Sequence, residues 1–281
     1  MYRAKGRFWE IDFLRGLAVV LMLGYHFLYD LDFFRLAEFE LNSGLLSYIG
    51  RGAAEMFILV SGAALSISYS RANGAGASSP TSASHSSSTL ASFSAISSSS
   101  ALTTSAFPSK LFRKYLRRGL KLFTLGLVLT AVTRVFLPER YILFGILHFF
   151  GVSAILAYPY LRLKEVNLLM ALLFLIPGYW LGTRTFGFST LIWLGFRPEH
   201  FQALDYFPVF PWFGLVLLGI YLGNSLYAGG SRQFKVPALE SSGTVKGFSW
   251  LGKHSLFIYF IHQPLFLALL WTAGYLDLNL I

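Results

Sequence analysis

The chain has 281 residues, 55% of them hydrophobic and 17% aromatic, with 23 Lys and Arg against 13 Asp and Glu. A mean hydropathy of +0.58 exceeds what a soluble globule carries. The absence of cysteine excludes disulfides, thiolate catalysis and cysteine-ligated metals. The net charge of +10 reads as a basic cytoplasmic membrane face rather than a nucleic-acid surface.

Apolar runs near the length that crosses a bilayer fall at 13–33, 52–70, 115–137, 142–161, 166–183, 208–227 and 250–272. The predicted fold is all-α: a polytopic membrane helical bundle of about seven spans, one transmembrane domain over 1–281. The first run is too long for a cleavable signal peptide. The shorter piece Phe186 to Phe196 reads as a re-entrant or interfacial segment, and Pro177, Pro208, Pro211 and Pro264 mark kinks or helix starts. Residues 72–109, rich in Ser, Ala, Thr and Gly, bury too little to offset the entropy of ordering, which predicts a flexible cytoplasmic loop. With the N-terminus inside, 17 of the 23 basic residues fall on the cytoplasmic side, so the chain reads as a multi-pass cell-membrane protein with a cytoplasmic N-terminus.

The first span carries the most chemistry. At 100° per residue His26 lies about 40° from Asp12 around the helix axis and roughly 21 Å along it. Asp30 shares the azimuth of Asp12, and Arg15 is about 20° from His26. Charges cost roughly 2.5–3.5 kcal/mol each at a bilayer centre, so this stripe should face protein or water. A neutral imidazole at His26 can take a proton from an attacking hydroxyl or amine, and Asp30, one turn on, can orient it. A histidine bonded between helices beside an interfacial Asp has the same pattern.

Other candidates are less specific. His148 is predicted at a depth similar to His26, and His262 lies beside Pro264, where freed carbonyls need donors. Both also suit structural roles. The basic run from Lys110 to Lys121, with Arg113, Lys114, Arg117 and Arg118, suits anchoring on anionic lipid or gripping the phosphates of a cytoplasmic cofactor. Asp205 and Trp212, among aromatics entering the sixth span, suit the rim of a sugar pocket; an interfacial aromatic belt has the same composition. No histidine pair has metal-site spacing, so no metal is expected. No phosphate-loop or dinucleotide motif is present.

Five segments together carry a resemblance: Glu10-Ile-Asp-Phe-Leu-Arg-Gly-Leu-Ala with Tyr25-His26; Met56-Phe-Ile-Leu-Val-Ser-Gly; Phe144-Gly-Ile-Leu-His-Phe-Phe-Gly; Tyr206-Phe-Pro-Val-Phe-Pro-Trp-Phe-Gly; and Gly252-Lys-His-Ser-Leu-Phe-Ile-Tyr-Phe-Ile-His-Gln-Pro. In this order they resemble the catalytic domain of the heparan-alpha-glucosaminide N-acetyltransferase family in its small prokaryotic form, within the wider group that includes acyltransferase-3 proteins. The resemblance implies transfer of an acetyl or other acyl group from cytoplasmic acyl-CoA to a sugar amine or hydroxyl across the membrane. It implies that Asp12 and Arg15 shape the inner end of a tunnel, with His26 as base or acyl relay; the expected bundle lines that tunnel with spans one, two, four and seven. Heparan-type eukaryotic members tend to have Asn where His26 stands, so this position resembles the acyltransferase-3 arrangement more closely.

The combined expectation is an acyl-CoA-dependent membrane acyltransferase. His26, Asp30 and His148 are its catalytic candidates, and Asp12, Arg15, Arg113, Lys114, Arg117 and Arg118 its cofactor-binding ones. Asp205, Trp212 and His262 are the candidates for the acceptor. Its partners would be acetyl-CoA or another acyl-CoA, a sugar or glycan acceptor and membrane lipids, with a homodimer left open and no nucleic acid. A transporter of sugars or lipid-linked sugars would use the same stripe as a permeation path, and a scaffold would use its histidines as interhelical bonders.

Overall fold

The computed structural model describes residues 6–41, 43–76 and 109–275. Within them lie eight α-helices: α1 (Trp9–Phe33), α2 (Gly44–Gly76), α3 (Ser109–Phe136), α4 (Ile146–Leu156), α5 (Glu165–Gly182), α6 (Val209–Leu226), α7 (Gly243–Lys253) and α8 (Ser255–Thr272). Among the described residues there is no β-strand, only the isolated bridges Phe144–Tyr206 and Phe186–Pro198. Six of the helices are long and apolar enough to cross a membrane. The chain is a polytopic helical membrane protein, as its apolar periodicity predicts.

The centre of the bundle is α2 against α6, and its cause is the small residues on each. A methyl added at Gly62 would overlap the Val216 carbonyl, and one at Gly219 would overlap the Leu59 carbonyl, so only glycine lets these backbones touch. That approach seals a core around Ile58, Phe149, Phe213, Leu217 and Ile220, all essentially without exposed surface. Polar groups fasten the far end. Ser66 donates to the Asn224 side-chain carbonyl, and the Asn224 amide donates to Leu163 O at 2.7 Å. By contrast α3 and α8 are each only 11% buried over their apolar windows. They present residues such as Val128, Val132, Leu265 and Leu269 outward, where lipid replaces the missing packing partner.

Three sequence expectations change in detail. The predicted span 142–161 is the 11-residue helix α4 followed by a 3-10 turn, Tyr158–Arg162. Pro159 at the start of that turn lacks an N–H for the α-helical ladder, which favours the tighter coil. The piece 186–196 is not a continuous helix. Phe186, Phe188 and Phe196 pack on one another, Phe186 N–H bonds Arg197 O at 2.9 Å, and only Ile192–Leu194 coils. The predicted span 250–272 breaks at His254 into α7 and α8. Of the Ser-rich stretch 72–109, residues 72–76 continue α2 as helix, and 77–108 lie outside the described residues.

The start of α1 is clasped to the loop after α6. Glu10 accepts from Arg232 Nε at 2.8 Å and Nη2 at 2.7 Å, and from the Tyr227 hydroxyl at 3.0 Å. Phe8 packs on Tyr227 and faces both Arg71 and Arg232 within cation–π range. Glu10→Ala leaves Arg232 without its carboxylate and should lower stability by about 1–3 kcal/mol. Thermal unfolding in detergent checks this: Arg232→Ala should match it, and the double variant should lose little more than either single one.

Candidate active site

Which side chains meet is decided by how α1 and α8 run together. Both start at the end of the bundle where Asp12 lies and finish at the other, because α7 lies along the first turns of α1 and feeds α8. On α1, His26 Nδ1–H donates to Met22 O at 2.9 Å, one turn back. A carbonyl can only accept, so Nδ1 carries the proton and a neutral His26 keeps its lone pair on Nε2. On α8 the same thing happens: His262 Nδ1–H donates to Tyr259 O at 2.7 Å. The two rings lie edge to face, centroids 5.0 Å apart, with His26 half-buried and His262 buried.

Asp205 enters this group from the loop before α6. Its Oδ2 accepts from Ile146 N–H at 2.8 Å and from the Tyr259 hydroxyl at 3.4 Å. The N-cap of α4 is Gly145, which has no side chain to cap the first turn, so a carboxylate from another segment does so, where the helix dipole favours negative charge. Glycine is needed there, since a methyl at Gly145 would overlap the carboxylate. The bonds Phe207 N–H to Phe144 O (2.9 Å) and Leu204 N–H to Arg140 O (3.0 Å) hold the two loops side by side and so place Asp205. Burial pushes its carboxyl up from the ordinary range, while the Ile146 N–H, the charge of nearby His26 and the Tyr259 hydroxyl pull it back. Asp205 is therefore inside the cluster, deeper than the rim its sequence position suggests.

Asp30 does not turn to His26. Its Oδ1 accepts from the Gln263 amide, and its Oδ2 is buried without a hydrogen-bond partner among the described residues, as are His262 Nε2 and Gln263 Oε1. The reason is geometric: the His26 ring is already tied back toward Met22, away from the turn that carries Asp30. His148 is elsewhere again. Its Nε2 meets Thr130 Oγ1 at 3.4 Å, and its ring packs between Phe123 and Phe144 over Gly126 of α3. Thr130 spends its proton on Ile142 O at 2.6 Å, so it accepts from His148, whose Nδ1 is buried and has no hydrogen-bond partner among the described residues. Trp212 packs against Phe207 at a tilt, ring centroids 4.7 Å apart, at the flank of the core.

At the other end of α1, buried Asp12 accepts from Arg7 Nε at 2.9 Å and Nη2 at 2.6 Å, and from Arg15 Nη1 at 3.4 Å. One carboxylate cannot neutralise two guanidiniums, and Arg15 also lies within the field of Arg118 on α3. The surplus is positive. Lys114 donates to Ser68 Oγ at 3.0 Å, while Arg113 and Arg117 are exposed on α3. Asp12, Arg15 and Asp30 all turn into protein.

A cavity of about 440 Å³ opens at the His26 end between the loops 139–143 and 198–202, lined by Glu139, Tyr141, Glu199, His200, Phe201 and Gln202 among others. These are the loops whose pairing places Asp205. Sequence reasoning missed Arg7, Gly145, Tyr259 and Gln263. The spacing Tyr259, His262, Gln263 puts all three on neighbouring positions of one helical face, a signal that was available.

The family model described as heparan-alpha-glucosaminide N-acetyltransferase, catalytic, matches residues 7–264. No curated protein and no solved structure matches the chain.

Proposed function

Since the chain belongs to the heparan-alpha-glucosaminide N-acetyltransferase catalytic family, a family of membrane acetyltransferases, we propose that it takes an acyl group from acyl-CoA at the Arg15 end and delivers it to a sugar amine or hydroxyl at the His26 end. The observation that carries this reading is the tautomer of His26. With Nδ1–H held by Met22 O, Nε2 is the acceptor, and it belongs to a ring in a half-buried niche shared with His262, Asp205 and Tyr259. The acceptor's N–H or O–H proton moves to His26 Nε2 as its nitrogen or oxygen bonds to the thioester carbon. The carbon–sulfur bond breaks, and the departing sulfur takes the proton back from the imidazolium. Sulfur, proton and acyl group all balance without a further reagent.

The positive surplus of Arg7, Arg15 and Arg118 suits the phosphates of the donor, with Arg113, Lys114 and Arg117 further along α3. Only an uncharged thioester arm then has to run the roughly 21 Å from Asp12 toward His26, because moving the charged nucleotide into lipid is prohibitive. Acceptors would arrive through the cavity between 139–143 and 198–202, whose carboxylates, aromatic rings and amide suit sugar hydroxyls and faces. The bias of basic residues supports a cytoplasmic N-terminus and, with it, a cytoplasmic donor.

The test is thiol release from acetyl-CoA by the purified protein in nanodiscs, with and without glucosamine-type acceptors. Acceptor-dependent release is the expected result. Sugar flux without thioester cleavage would instead establish the transporter reading. Arg118→Ala should raise the KM for acetyl-CoA about tenfold, the equivalent of roughly 1.4 kcal/mol, with kcat little changed.

A further inference from the structure

We propose that Asp30 holds a proton: its Oδ2–H donates to Gln263 Oε1 and closes an acid–amide pair that locks α8 to α1 beside the two histidines, and loss of that proton releases the lock. The proposal does not depend on the reading of His26 as base. It starts from two orphaned oxygens on groups that already touch. Gln263 Nε2–H donates to Asp30 Oδ1. The other oxygen of each group, Asp30 Oδ2 and Gln263 Oε1, is buried without a hydrogen-bond partner among the described residues. An ionised carboxylate and an amide carbonyl only accept, so nothing joins these two oxygens unless one of them carries a hydrogen. Of the two, the carboxyl is the one that takes a proton. A single proton then satisfies both atoms, each of which is costly to leave bare when buried.

The neighbours supply no other donor. Asp30 is 3% exposed and joins no ion pair among the described residues. On its own helix, Tyr29 and Asp32 flank it, and His26 one turn back has given its Nδ1–H to Met22 O. On α8, His262 has given its Nδ1–H to Tyr259 O, so both neutral rings offer only lone pairs. On α2, Arg51 and Glu55 pair with each other at 3.6 Å and are exposed. In the loops, Arg140 acts on Tyr29, and Asp205 is held by Ile146 N–H and the Tyr259 hydroxyl. The acid–amide pair matters for the niche because of where it sits. Asp30 is one turn past His26 and Gln263 directly follows His262, so the pair joins the helices beside rings 5.0 Å apart. Only 11% of the apolar window of α8 is buried, so a polar tie counts for much in fixing it. An unfolded aspartate is ionised above about pH 4. A folded state that keeps this proton therefore binds one more than the unfolded chain, and its stability falls as pH rises.

The experiment compares melting temperatures of the wild type and Asp30→Asn in detergent from about pH 5 to about pH 9, with the infrared C=O band of protonated carboxyls followed over the same range. Asn offers Nδ2–H to Gln263 Oε1 and its oxygen to Gln263 Nε2–H, so it copies the locked pair at every pH. Expected are equal melts at the acid end and a wild type that falls below Asp30→Asn by about 5 °C at the alkaline end. The wild type should also show a protonated-carboxyl band that fades as pH rises and is missing from the variant. Melting curves that stay parallel across the range overturn the proposal. So does a folded Asp30→Asn that melts lower at every pH, the mark of an ionised Asp30 whose charge another group, such as His26, requires. If Asp30→Asn does not fold, Gln263→Ala decides. Its protonated-carboxyl band should shift because the partner of the acid is gone, and an unmoved band overturns the proposal.

Discussion

His26→Ala should cost roughly 10²–10⁴ in kcat while leaving the protein folded. The ring's hydrogen bond is local, to Met22 O on its own helix, and its neighbours across the niche are single rings rather than a packed core. Removing it therefore leaves no long-range bond broken. The proton transfer proposed for it exists only on the way to the transition state, so KM for acetyl-CoA and for the acceptor should change little. His26→Gln keeps a polar group of similar reach but offers no basic nitrogen, and it should be nearly as inactive. Added imidazole should restore part of the activity to the Ala variant, because that variant leaves space for it. Single-turnover thiol release, read beside a thermal melt, makes the measurement. Transfer at half the wild-type rate or better by a folded Ala variant would end the assignment of His26 as base.

The polar stripe behind this prediction was legible because it lies on one helix. The 3.6-residue period alone puts Asp12, Arg15, His26 and Asp30 on one side of α1, and the cost of burying charge in lipid says that side must turn inward, where the structure has it. What periodicity cannot supply is the partner. Nothing in the spacing of α1 says that His26 meets His262 rather than His148, because that depends on which face α8 presents and on α4 packing its histidine toward Gly126 of α3. The i, i+4 rule also misleads at Asp30. It makes contact permissible, and the backbone carbonyl at Met22 took the ring first. Asp205 reads from sequence as a rim residue of a sugar pocket, without the partners that hold it. Its inward position depends on two loops pairing through backbone bonds and on a glycine in another segment. Nothing in the sequence sets Arg7 apart from the other basic residues, although it holds Asp12 more closely than Arg15 does.

The small residues show a second kind of legibility, and they yield the largest structural effect. Gly16→Val should abolish the folded, monodisperse protein or destabilise it by more than the roughly 1–3 kcal/mol typical of overpacking. A methyl at Gly16 would overlap the carbonyl of Phe248 on α7, and one at Gly252 on α7 would overlap the carbonyl of Asp12 on α1. The contact is reciprocal and backbone on backbone, so no side chain can rotate away to relieve it. For room, α7 must move, which breaks the packing of Phe13 on Phe248 and the bond from Ser249 to Trp9 O. Asp12 sits in this seam, so any surviving protein should bind acetyl-CoA poorly before it loses the chemistry proposed at His26, which lies fourteen residues further along α1. Gly24→Ala is the control. It lies on the same helix with nothing within 4 Å of the added carbon, and it should be neutral or stabilising by up to about 1 kcal/mol. Size-exclusion profiles and melting curves of the two variants make the comparison, and a well-folded Gly16→Val with a wild-type melt would mean that α7 does not dock on α1 in this way.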